Sequence, residues 1–136
     1  MKKVSPTDSY SLVIPEDVIE EYDGRVASYW KKDHDTLLQL SSYRRMEGEQ
    51  VTANERLLSR LKQENLKKVK ILAEPVIDCP DIASAEGMDH EGLWWLYIYA
   101  VWNDLTILIT VTDQRAGILK RVTWVSEAIK TIRRGK

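Results

Sequence analysis

Two short stretches could carry chemistry, Asp33-His34-Asp35 and Asp89-His90-Glu91. Each sets an imidazole between carboxylates, the nitrogen and oxygen donors that zinc or another divalent ion takes. Neighbours on a strand point to opposite faces, so one such triplet cannot close around an ion. His34 and His90 become metal-ligand candidates only if two turns converge and share ligands. Read as turns instead, both triplets are polar hairpin ends of the kind Asp supplies. Nucleophilic chemistry is less well served. Cys79 lies between Asp78 and Pro80, and adjacent negative charge disfavours the thiolate. No Gly-x-Ser-x-Gly occurs, and the two glycines of "AEGMDHEG" are too far apart for a phosphate loop. The Glu20-Glu21 pair reads as solvated acidic surface, since two glycosidase carboxyls must face each other across a cleft. The sequence assigns no catalytic residue and no cofactor.

Those triplets flank or precede the most apolar part of the chain, Leu93 to Thr112, "LWWLYIYAVWNDLTILITVT". A membrane helix needs about 20 unbroken apolar residues, and Asn103-Asp104 interrupts after ten. The flanking residues are β-branched and aromatic, which prefer strands. Asn-Asp between two such runs predicts a hairpin turn. With that turn, Trp102 opposes Leu105, Ala100 opposes Ile107, Ile98 opposes Ile109 and Leu96 opposes Val111. These residues share one wholly apolar face, which must be core. The other face carries Trp95, Tyr97, Tyr99 and Val101 against Thr106, Leu108, Thr110 and Thr112. Such an aromatic and hydroxylic surface needs a cover. Mixed folds commonly supply it from a helix or loop of the same chain; a ligand or a partner is the other solution.

The remaining elements must position these groups. "SYSLVIP" from Ser9 to Pro15 alternates and stops at a proline, as a strand does. Val26 to Trp30 and Thr36 to Tyr43 predict a second hairpin around Asp33-His34-Asp35. Thr52 and Glu55 have capping-box spacing, ahead of a helix with Leu57, Leu58 and Leu61 as its apolar stripe. A short strand is expected from Val69 to Ala73, then a loop or edge strand through "EPVIDCPD". Ile82 to Met88 is expected to turn back at Asp89 to Gly92. Val122, Val125, Ile129 and Ile132 predict a closing amphipathic helix over about 119–134, with Gly135 as its C-cap. The expected fold class is α+β, one domain spanning 1–136, with an antiparallel sheet of about six strands flanked by helices.

Composition sets outer bounds. The chain has 136 residues, enough for one core. Its formal charge is −1, which offers no footprint for nucleic acid, whose binders normally present a strongly basic face. The cluster Arg133, Arg134 and Lys136 reads as cations at a helix C-terminus; Lys67, Lys68 and Lys70 form another local cluster. A single cysteine allows no intrachain disulfide. The first residues hold no apolar run of signal-peptide length. The expectation is a cytoplasmic protein with no membrane association.

The order of elements resembles the PsbP-like and DcrB-like superfamily. The likeness rests on "YSLVIPEDVIEEYDGRVASYW" (Tyr10 to Trp30), "GLWWLYIYAVWNDLTILITVT" and "VSEAIKTIRR", and would cover nearly the whole chain. That resemblance implies an antiparallel sheet between helices. It also implies protein binding rather than catalysis, as in photosystem accessory proteins, lipoproteins and effector chaperones of type VI secretion. Five Trp and six Tyr with no Phe point the same way, because Trp and Tyr dominate binding hot spots. The expected function is a non-enzymatic protein-binding module of a bacterial cytoplasm, an adaptor, effector chaperone or toxin-immunity protein. Its partner-binding residues would be Trp95, Tyr97, Tyr99 and Leu108, with Tyr29 and Trp30 beside them. The acidic stretch Glu16 to Asp23 would steer a basic partner. A homodimer through the Trp95 face is a further outcome. The competing expectation is a small-ligand or metal-dependent enzyme built on the two histidine turns.

Overall fold

The computed structural model describes residues 1–72 and 77–135. The fold is α+β, with two antiparallel sheets and three helices among the described residues. The strands are β1 (Lys2–Thr7), β2 (Tyr10–Ile14), β3 (Val18–Tyr22), β4 (Val26–Lys31), β5 (Leu37–Arg44), β6 (Lys67–Leu72), β7 (Asp81–Met88), β8 (Trp94–Val101), β9 (Leu105–Asp113) and β10 (Arg133–Arg134). The helices are α1 (Ala53–Glu64), α2 (Ile118–Arg121) and α3 (Thr123–Lys130). The large sheet has seven strands where about six were expected, in the order β3-β4-β5-β9-β8-β7-β6, and β1-β2-β10 form the small one.

The aromatic hairpin adopts the register that its turn dictates. Leu96 opposes Val111, Ile98 opposes Ile109 and Ala100 opposes Ile107, and the Trp102 amide closes the turn on the Leu105 carbonyl at 2.7 Å. All six of those paired side chains are fully buried. They meet Leu12 and Ile14 of the small sheet and Ile118, Val125 and Ile129 of α2 and α3 in one core. A second core lies on the opposite face of the large sheet. There Ala53 and Leu57 of α1 pack on Ala85, Tyr97, Tyr99, Val101 and Leu108. An isolated helix of this length is marginal in water, so α1 owes its stability to that contact. Burying Leu57 alone contributes roughly 1.5–3 kcal/mol. Thr52 caps the helix, its hydroxyl accepting the Glu55 amide at 3.1 Å. Leu58, placed with the apolar stripe from sequence, is 51% exposed; it sits about 100° around the helix from Leu57.

The C-terminal reading needs correction. The helix expected over 119–134 breaks at Val122 and ends at Lys130. Arg133 and Arg134 leave it to pair with Ser11 and Tyr10 of β2. Gly135 is therefore not a helix cap: its amide donates to the Ser9 carbonyl at 2.6 Å. A Cβ there would overlap the Asp8 carbonyl oxygen, so close backbone approach explains the glycine. The clustered arginines are strand residues, and Arg134 pairs with Asp104 at the hairpin turn. β1, β3 and β10 were not expected as strands. β6 occupies the place of the short strand assigned to Val69–Ala73, with Ala73 itself outside the described residues.

Candidate functional site

β4 alternates across the sheet, so Tyr29 and Trp30 point to opposite faces. Tyr29 is fully buried in the larger core, where its hydroxyl donates to Glu20 Oε2 at 2.7 Å. Burial and that carboxylate together push its phenol well above the usual range. Tyr97, Tyr99 and Leu108 are buried under α1, between 4% and 7% exposed. Burial also pushes the Tyr97 phenol up to about 12. These four residues, expected to contact a partner, are instead interior. The chain's own helix supplies the cover that the aromatic face requires. Trp30 and Trp95 remain half-buried.

What α1 leaves open follows from the strand order. The helix packs against β7 and β8, which lie toward one side of a seven-stranded sheet. On the same face, β3, β4, β5 and the C-terminal end of β9 form a strip beside it. Register aligns five side chains in one row across this strip. Ile19 opposes Trp30, Trp30 opposes Leu37, Leu37 opposes Thr112, and Thr112 opposes Trp95. Four strand spacings make the row about 19 Å long. Ile19 is 41% exposed and Thr112 is 8% exposed, with Trp30, Leu37 and Trp95 between them. The next row, Glu21, Ser28, Gln39 and Thr110, is polar. The open strip is thus an apolar and aromatic band bordered by hydrogen-bonding side chains.

Trp95 is held rigidly at the end of that band. Its ring stacks on Tyr97 with centroids 5.7 Å apart and planes 9° from parallel. Its Nε1 donates to Asp89 Oδ2 at 2.9 Å. The other carboxylate oxygen of Asp89 accepts the amides of Glu91 and Leu93 at 2.9 and 3.0 Å. The indole bond, with these amides, holds the Asp89 carboxyl below the usual carboxylate range. The triplet Asp89-His90-Glu91 therefore builds a turn and positions an indole. His90 is exposed and lies 3.8 Å from Glu91.

The other triplet sits at the same end of the sheet, because Leu37 and Trp95 flank Thr112. A cavity of about 490 Å³ opens there, lined by Lys31, His34, Asp35, Arg115, Arg121 and Trp124 among others. His90 does not line it. Asp113, also in its wall, accepts Thr36 Oγ1 at 2.7 Å and pairs with Arg121 at 3.3 Å. Among the described residues, no three His, Cys, Asp or Glu side chains gather as a metal-ligand set. The two histidine turns share an end of the sheet without sharing a site. Among the described residues, no helix is long and apolar enough to cross a membrane.

Sequence reasoning missed Ile19 and Leu37. Ile19 lay hidden in the acidic run Glu16 to Asp23, which has no alternation of apolar and polar residues to mark a strand. Leu37 shares a face of β5 with Gln39 and Ser41, a half-polar face that only strand pairing places beside Trp30.

No protein-family model matches the chain, and no curated protein is significantly similar to it. A solved structure from Bacteroides thetaiotaomicron shares the fold, with a TM-score of 0.65 at 15% identity. The match covers 99% of this chain and 48% of that one, so the chain spans about half the length of the structure it is similar to.

Proposed function

We propose that the chain is a non-enzymatic protein-binding module of a bacterial cytoplasm. Its contact surface is the open strip of sheet beside α1, with Trp30 and Trp95 as anchors. The observation that carries this reading is the aligned row Ile19, Trp30, Leu37, Thr112 and Trp95, which runs beside the helix that covers Tyr97, Tyr99 and Leu108. Ile19 is exposed and Trp30, Leu37 and Trp95 are half-buried, and apolar side chains that solvent reaches, bordered by a polar rim, are a common mark of an interaction site. Rigid aromatic anchors add contact area at little entropic cost. Acidic residues from Glu16 to Asp23 lie along β3 at the edge of the strip, which favours a basic partner surface. The free Cys79 fits a reducing compartment. The resemblance to PsbP-like and DcrB-like domains, whose common theme is protein binding, supports the same class of function by analogy alone.

The test is capture from a lysate of the protein's own organism, followed by titration of the retained partner. Trp30→Ser with Leu37→Ser should weaken binding at least about tenfold, the loss of a modest hot spot, while circular dichroism stays unchanged. Equal affinity in the folded double variant would remove the strip from the proposal.

A further inference from the structure

The large sheet ends in two strands of opposite charge. β3 exposes Glu20 and Glu21 and is bracketed by Glu16, Asp17 and Asp23, all exposed. At the other end, β6 exposes Lys67, Lys68 and Lys70. Among the described residues each has one neighbour in the strand order, so each presents an outward row of backbone donors and acceptors. Both edges also carry apolar side chains that solvent reaches. Ile19 is 41% exposed on β3, and Val69 and Ile71 are 42% and 54% exposed on β6.

We propose that the occupant of the β3 edge is β6 of a second copy of this chain, so that copies join head to tail into a continued sheet. Register fixes how the edges would meet. Six antiparallel steps separate β3 from β6, so the two strands run in the same direction. A copy translated sideways then pairs its β6 with β3 in parallel, without turning the sheet over. Ile71 opposes Ala85, and the chain of pairs through Tyr97, Thr110, Gln39 and Ser28 ends on Glu21. Ile71 and Ile19 thus belong to one face of the joined sheet, and Lys70 and Glu20 to the other. In that row Lys70 meets Glu20 on one face; on the other Ile71 stands beside Glu21, with Ile19 two residues along the same strand.

Lysines and bulges on an edge strand normally deter pairing. β6 has both: its register shifts between Lys67 and Lys70, and Lys68 has φ of 55°. These charges repel a basic or desolvate against a neutral strand, whereas an acidic strand such as β3 neutralises them. The contact is heterologous and does not close on itself, so growth has no fixed end.

Sedimentation velocity of the full chain tests this across a concentration series. Wild type should gain mass with concentration in low salt, without a plateau at the dimer. It should return to monomer near 1 M ionic strength, where the Debye length falls to about 3 Å. Glu16→Lys, Asp17→Lys and Glu21→Lys together make both edges basic, and Lys68→Glu with Lys70→Glu makes both acidic. Each variant alone should stay monomeric, and an equimolar mixture of the two should associate again. Circular dichroism checks that each variant is folded; the second pair stands as the test should the first misfold. A wild type that stays monomeric, a plateau at the dimer, salt-insensitive association, or a mixture that fails to recover would each overturn the proposal.

Discussion

Thr36 donates its hydroxyl to Asp113 Oδ2 at 2.7 Å, joining the start of β5 to the end of β9. The same carboxylate pairs with Arg121 at 3.3 Å and accepts the amides of Gln114 and Arg115 through Oδ1. Arg121 in turn donates to the Ala116 and Arg115 carbonyls at 2.7 Å. One buried carboxylate therefore fixes the crossing from the sheet into α2. Burial pushes its pKa up, yet the bonds from Thr36 and the Gln114 and Arg115 amides, with the nearby Arg121 charge, outweigh burial and hold it below the usual range.

Asp113→Asn should consequently lower stability by about 1.5–3 kcal/mol, the usual worth of hydrogen bonds to a charged group. Thr36→Val should cost about 1 kcal/mol, since Arg121 and the amides remain. The pH dependence has a definite sign. A depressed folded pKa adds stability above the unfolded Asp value, about 3.9, and that increment fades as pH falls through the folded pKa. Urea denaturation at neutral pH and at acid pH should show the gap between wild type and Asp113→Asn shrinking in acid. A gap independent of pH would contradict the ionised latch.

Glu86 reaches from β7 to the start of α2. Its two carboxylate oxygens accept the Gly117 and Ile118 amides at 2.8 and 3.0 Å. A helix start exposes orphan amides, and Gly117, at φ of 72°, provides no side-chain cap. Glu86→Ala should cost about 1–2 kcal/mol, the worth of a lost N-cap. Glu86→Gln, keeping one acceptor oxygen, should cost less. Thermal midpoints of the two variants check the order, and equal midpoints would show that the amides find water instead.

The hairpin of β8 and β9 was legible from sequence because every determinant is local. Asn103-Asp104 sets the turn, and alternation then assigns each side chain to a face. Thr52 and Glu55 marked the start of α1 for the same reason. β3 was illegible as a strand because it is an edge: only Val18 is buried, and "VIEEY" reads as acidic surface. β10 has two residues and exists only because β2 lies beside it. The break at Val122 has no glycine or proline to announce it. The apolar row required β5 to pair with β9 across α1 and β6 to β8, a long-range choice that no local pattern records.

Gly135→Ala follows from the close approach of the tail to β2. The added methyl would collide with backbone at Asp8, and backbone cannot give way as a flexible side chain can. A loss of about 1–3 kcal/mol is expected, as for other overpacking changes. Amide exchange at Ser11 and Tyr10 should accelerate with it, since these residues pair with Arg133 and Arg134. Unchanged stability and exchange would mean that the β10 pairing contributes nothing.

Trp95 offers the most direct optical readout of the site. Asp89→Ala removes the acceptor of its indole N–H and of two turn amides. The ring would then be free to leave its stack on Tyr97. Near-ultraviolet circular dichroism should lose intensity, while far-ultraviolet spectra keep the strand signal of β8, whose backbone pairs on both sides. Because the indole bond lowers the Asp89 pKa, the wild-type signal should persist as pH falls through the ordinary Asp range near 3.9 and titrate only below it. A transition at or above that value would show that Asp89 does not hold the anchor. Partner affinity should fall together with the near-ultraviolet signal, since a mobile indole pays an ordering cost on binding that a stacked one does not.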